Sequence, residues 1–217
     1  MNHQDVRFIR NIMFTDEATF TRNGLTNLHN THIWAEENPK AVVETHHQLH
    51  FKVNVWAGVV DNFLLGPIIL PGNLTGNSFL LFLQDTLPDL LDDLPLQTRQ
   101  NIWFQLDGAP PHFDRNVRNH LHQIFPNRWI GRGQDAPVKW PPRSPDLTPL
   151  DFSVWGCMKD FVYRVLILNE NNLRDRIFQA AEQFRVKPNI FQSLRFSLIK
   201  RSRMCIQKNG GNIEQVL

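Results

Sequence analysis

Apolar and polar residues alternate one by one in FTDEATF, residues 14–20. In a strand that spacing sets Phe14, Asp16, Ala18 and Phe20 on one side, and Thr15, Glu17 and Thr19 on the other. A carboxylate, Asp16, thus stands where an apolar side chain would be ordinary. A polar, turn-rich stretch follows, then IWAEENP as a second short strand. FKVNVWAGVV, rich in β-branched and aromatic residues, predicts a third strand, joined through Asp61-Asn62 to FLLGPIIL as a hairpin.

Beyond PGNLTG the period changes. SFLLFLQDTLPDLLDDL predicts a helix interrupted near Pro88, and NIWFQLD a strand that the Gly-Ala-Pro-Pro after Asp107 must end. Helical spacing returns in FDRNVRNHLHQIF, at Val117, Leu121 and Ile124/Phe125. RWIG is a short strand, and a proline-rich loop leads to LDFSVWGCMKDFVYRVL, where Trp155, Met158, Val162 and Val165/Leu166 recur at helical intervals. Two further helices, near NLRDRIFQAAEQF and NIFQSLRFSLIKRSRMCIQ, close the chain. Antiparallel strands first, then strands alternating with helices, predict one α/β domain: a mixed sheet flanked by helices, with a helical C-terminal segment over about 168–217.

Composition narrows the class. The chain has 217 residues, 41% of them hydrophobic and 20% charged, enough for one sizeable core. Cys157 and Cys205 stand far apart with no CxxC, which argues against a disulfide scaffold or a structural zinc site. No signal peptide is evident, and no apolar run nears the roughly 20 residues of a membrane span. A soluble intracellular protein without a membrane partner is expected. Net charge is only +2, yet residues 159–208 carry eleven Lys/Arg against four Asp/Glu, and residues 85–95 carry four acids and no base. A basic C-terminal third suits a polyanion.

Three acids draw the chemistry together. Asp16 sits in a strand, Asp107 at a strand tip before a tight turn, and Asp151 in the first turn of a helix, where the dipole keeps an acid ionised. Converging, they would repel one another unless they held hard, oxygen-seeking cations, Mg²⁺ or Mn²⁺. Two ions about 3.5–4 Å apart suit phosphoryl transfer. No P-loop is present, so a nucleotide cofactor is not indicated. HHQLH, residues 46–50, lacks companion cysteines and is expected to be a solvated loop or strand edge. Asp146 is expected to be a turn-forming, N-capping acid.

FTDEATF, LDGAPPHF and WPPRSPDLTPLDFSVWG together resemble the three catalytic blocks of mariner-type transposases of the DDE/D superfamily. Asp107 lies 91 positions after Asp16, and Asp151 a further 44, spacings that resemble the family's. HIWAEENP, VWAGV and the tail CIQKNGGNIEQVL extend the resemblance over nearly the whole chain. It implies an RNase H-like fold, with residues 1–217 as the catalytic domain, and metal-dependent cleavage and joining of DNA. Asp16, Asp107 and Asp151 match the metal-binding triad; the third place is Asp in mariner-like branches. Glu17 completes the usual Asp-Glu pair and faces away. His112 is expected to contact DNA or orient a metal-bound group, and Arg115, Arg118 and Arg143 to bind phosphate.

The resemblance further implies transposon ends and target DNA as partners, a possible homodimer, and a nuclear location in a eukaryote. Two departures stand out. The family's paired helix-turn-helix units precede this region and are expected to be absent, and Gly108 stands where Asn is commoner. A catalytically silent remnant that only binds DNA or protein is the rival expectation, and an RNase H-type hydrolase of RNA–DNA hybrids a third.

Overall fold

The computed structural model describes residues 3–24, 51–142, 144–211 and 213. The expected strand at IWAEENP, the histidines at 46–50, Arg143 and the last residues of the tail lie outside them. A helix α1 (His3–Asn11) leads into β1 (Ile12–Thr21), and the hairpin β2 (Lys52–Val60) and β3 (Phe63–Leu70) follows. Next come α2 (Gly76–Leu81), α3 (Leu87–Asp92), α4 (Leu96–Asn101), β4 (Trp103–Gln105), α5 (Arg115–Ile124), β5 (Trp129–Gly131) and β6 (Val138–Lys139). Three helices close the fold: α6 (Trp155–Val162), α7 (Glu170–Arg185) and α8 (Ile190–Gln207).

The strands form one sheet in the order β3-β2-β1-β4-β5-β6. β1, β2 and β3 pair antiparallel, while β4, β5 and β6 add in parallel. This is the mixed sheet that the sequence predicts, antiparallel strands first and parallel strands after. Alternation decides its two faces. Phe14, Ala18, Phe20, Val53, Val55 and Val59 face α6, α7 and α8 in one core. Met13, Trp56 and Phe104 turn to the other side, against Phe79, Leu83 and Leu121. Each such side chain contributes about 1.5–3 kcal/mol by leaving water, so a slip of one residue in β1 would exchange both cores at once.

Some elements differ from expectation, each for a local reason. The helix around Pro88 breaks into a π turn (Phe82–Thr86) before α3, because proline cannot donate to the preceding turn. α6 stops at Val162, and Val165 and Leu166 lie beyond it, exposed, so they are not part of the buried stripe. Asp146 sits inside a 3-10 turn (Pro145–Leu147) whose cap position is Ser144, so its side chain is not an N-cap. Cys157 and Cys205 are both free thiols. No helix among the described residues is long and apolar enough to cross a membrane.

Candidate functional site

β1 and β4 run parallel in a register that sets Phe14 beside Gln105. Asp16 follows that pairing by two residues, and Asp107 stands two residues past the end of β4. Thr15 locks the junction: its hydroxyl donates to the Gln105 carbonyl at 2.7 Å, wholly inside the protein. A strand tip with neighbouring strands on both sides is a rigid place for a charge.

Asp16 keeps the apolar side, as alternation requires, and is held there from the helical layer. Trp155 Nε1, buried at the start of α6, donates to Asp16 Oδ2 at 2.6 Å. The tryptophan ring meets Phe20 edge-on, with centroids 6.2 Å apart, which fixes its own orientation. Asp151 lies in the π turn (Leu150–Val154) that opens α6. Its carboxyl lies within hydrogen-bonding reach of that of Asp16, close enough for the Asp151 charge to act on Asp16. Burial first, then Asp151 and Glu17, push Asp16 up to about 8, against the Trp155 bond. Burial also raises Asp151, with Asp107 adding to it, while the Asp16 hydrogen bond and Lys159 oppose.

Asp107 has a different partner. Its Oδ1 accepts from the Ala109 N–H at 2.8 Å and meets His112 Nδ1 at 2.7 Å. His112 is only 4% exposed, and its ring packs on Phe79 at 4.4 Å between centroids. Its other nitrogen, Nε2, faces Glu17 Oε1 at 3.3 Å. Burial alone would lower His112, but Glu17 and Asp107 together outweigh that and push it up to about 10. Burial alone would raise Asp107; the His112 imidazolium and the Ala109 N–H hold it below the ordinary value. Glu17 does face away from Asp16, as expected, but it is joined to Asp107 through the imidazole. The sequence reading missed that link, since nothing in strand alternation reports what a loop histidine 95 positions later will meet.

Enclosed as it is between two carboxylates and a phenylalanine ring, His112 offers DNA no surface. Arg118 is paired with Asp135 and lies over the Phe113 ring at 4.5 Å, while Arg115 is exposed at the start of α5. Arg132 donates to the Gly108 carbonyl at 3.2 Å. A Cβ on residue 108 would come within 3.3 Å of the Arg132 side chain, which gives the glycine a packing reason.

The donor set is all carboxylate oxygen, the kind that Mg²⁺ and Mn²⁺ take. A buried pair of acids with raised pKa values is also what a site shaped for a cation becomes without one. Asp16 and Asp151 fit such an ion, and Asp107 is close enough to act on Asp151 through its charge. Among the described residues, no three acidic, His or Cys side chains stand together as a ready metal cluster. Asp107 is engaged with His112 instead.

No protein-family model matches the chain, and no curated protein sequence does. Solved structures do. The catalytic domain of Mos1 mariner transposase superposes with a TM-score of 0.67 at 20% identity, over 98% of this chain and 88% of that one. The same domain with raltegravir and Mn gives 0.65 at 17% identity, over 99% and 98%. The Mos1 transposase paired-end complex with left transposon end gives 0.69 at 18% identity, covering 98% of this chain but 59% of the longer transposase chain. The chain therefore has the RNase H-like fold of the Mos1 mariner transposase catalytic domain, over almost its whole length.

Proposed function

We propose that this chain is the catalytic domain of a mariner-type transposase, cutting and joining DNA with Asp16, Asp107 and Asp151 at its centre. One observation carries the reading: the Asp16 and Asp151 carboxyls, 135 positions apart, are buried close together, with Asp107 near enough to act on Asp151 through its charge. An acid pair of that kind is costly to fold around and is retained where a cation replaces the proton. The solved structures of the same fold include Mos1 catalytic domains with Mn and with Mg.

Divalent ions held by the three acids would supply the charge that activates an attacking oxygen and stabilises the leaving one. The chain does the rest. Trp155 orients Asp16 and favours its ionised form, Lys159 does the same for Asp151 through charge, and His112 keeps Asp107 ionised. Asp16, held protonated near neutral pH by burial, would have to ionise to hold such an ion. DNA, as transposon ends and target, is the partner on this reading, with a homodimer and a nuclear setting in a eukaryote.

A chain that binds DNA without cutting it is the second reading, and the engagement of Asp107 with His112 favours it. Nicking of supercoiled plasmid in Mn²⁺ separates the two. Nicking lost in Asp151→Ala supports the transposase reading, whereas equal background in both proteins supports the silent one. A hybrid duplex cleaved in preference to DNA would point to an RNase H-type hydrolase instead.

A further inference from the structure

Glu17 and Asp16 are adjacent in β1 yet lie on opposite faces of the sheet, and only one of them belongs to the acid pair. Glu17 Oε1 is buried and reaches no hydrogen-bond donor with good geometry; it faces His112 Nε2 at 3.3 Å. A carboxylate left that way is expensive unless the group opposite it is cationic. His112 answers that need and turns its other nitrogen, Nδ1, to Asp107 Oδ1 at 2.7 Å. Phe79 closes one face of the ring. The imidazole is thus held by a hydrogen bond at Nδ1, faces the Glu17 carboxylate at Nε2 and is covered on one face. Asp107 receives both of its hydrogen bonds on Oδ1, and among the described residues Oδ2 accepts none.

We propose that Glu17 is a positioning residue for Asp107, acting through His112 from the opposite side of the sheet. This rests on the reading of Asp107 as a metal-binding carboxylate. Glu17 sets the angle of the imidazole, the imidazole fixes Oδ1, and Oδ2 is left as the oxygen offered to a cation. The arrangement parallels the outer-shell partners of metal sites, whose loss costs about 10–100-fold in metal affinity. Here the chain of contacts runs from carboxylate to imidazole to carboxylate, so the histidine orients a ligand rather than serving as one.

The test is Mn²⁺ affinity, read from the electron paramagnetic resonance of free Mn²⁺, in four proteins: wild type, Glu17→Ala, Glu17→Gln and Glu17→Asp. Gln keeps the reach of the side chain and loses its charge; Asp keeps the charge and loses the reach. A positioning role predicts affinity within a few-fold of wild type for Gln. It predicts a loss of about tenfold or more for both Ala and Asp. If Glu17→Ala does not fold, the Gln and Asp pair carries the comparison alone. Wild-type affinity in Asp with a large loss in Gln would overturn positioning in favour of charge alone. Wild-type affinity in all three variants would overturn any role while leaving the metal reading intact. A wild-type protein that binds no Mn²⁺ would overturn both.

Discussion

Trp155 Nε1 donates to Asp16 Oδ2 at 2.6 Å, joining two residues 139 positions apart. The bond ties the start of α6 to β1 and makes the docking of α6 a condition for the acid site. With Trp155 almost fully buried, the indole cannot turn to water without opening the core.

Trp155→Phe keeps a ring in place and removes the donor. A hydrogen bond to the neutral acid contributes about 0.5–1.5 kcal/mol, and the smaller ring leaves space behind at further cost. Urea unfolding is expected to show a loss of about 2–4 kcal/mol, and calorimetry a weaker affinity for Mn²⁺. Unchanged affinity would mean that the indole supports only the fold.

The raised Asp16 makes metal-free stability depend on pH. Its folded-state value, about 8, lies above the ordinary 3.8, so the fold prefers the protonated acid. That contribution is complete below about pH 4 and is lost as pH rises through about 8. His112 adds a loss of the same sign, beginning above 6.5 and complete past about 10. Urea midpoints without metal are therefore expected to fall from pH 5 to pH 9. Asp16→Asn should flatten the part of the decline below pH 8. A midpoint that climbs over this range in wild type would contradict the raised Asp16.

Gly76 opens α2 where the chain passes Asp114, whose side chain accepts from the Asn116 N–H and caps α5. A Cβ on residue 76 would sit 2.5 Å from the Asp114 Cβ, an impossible contact that must move the cap. Gly76→Ala is expected to cost about 1–3 kcal/mol. It should also disturb the turn that carries Asp107 and His112, seen as shifted amide resonances for residues 107–114.

The basic C-terminal third divides into structural and free charge. Arg185 donates to the Leu64 and Gly66 carbonyls of the β2–β3 hairpin, and Arg176 to the Val162 and Val165 carbonyls. Arg195 binds Asp61, and Arg201 lies over Phe152 while donating to the Asp146 carbonyl. Arg185→Ala is thus expected to lower the melting temperature and leave DNA affinity nearly unchanged. Arg115→Ala, at the exposed start of α5, should weaken non-specific DNA binding and lower its salt slope by about one. Both effects can be read from fluorescence anisotropy over a salt series.

What was legible in the sequence follows from how each signal arises. Alternation placed Asp16 and Glu17 on opposite faces because a buried strand tolerates no slip in register. The π turn near Pro88 was visible as a break because proline leaves no choice there. α1 escaped notice because, of its described side chains, only Ile9 is buried, and α4 because none of its residues is. β6 has two exposed residues and no pattern to show. The three acids were found by resemblance and spacing, but their companions were not. Trp155 read as core, which it is; that its indole N–H ends on Asp16 depends on how α6 crosses the sheet. Likewise the arginines of residues 159–208 looked like a surface for a polyanion, while several of them hold backbone carbonyls. Charge counts report composition, and only packing decides which charges remain free.

The most direct test of the central claim is Mn²⁺ binding by isothermal titration calorimetry at pH 7, in wild type, Asp16→Asn and Asp151→Asn. A metal centre built on these acids predicts saturable binding in wild type and its loss in both variants. The wild-type heat should also vary with the ionisation enthalpy of the buffer, because Asp16, protonated at pH 7, must ionise to bind the ion. Equal, weak heats in all three proteins, with no dependence on buffer, would contradict the account: the acids would then be a buried pair without chemistry.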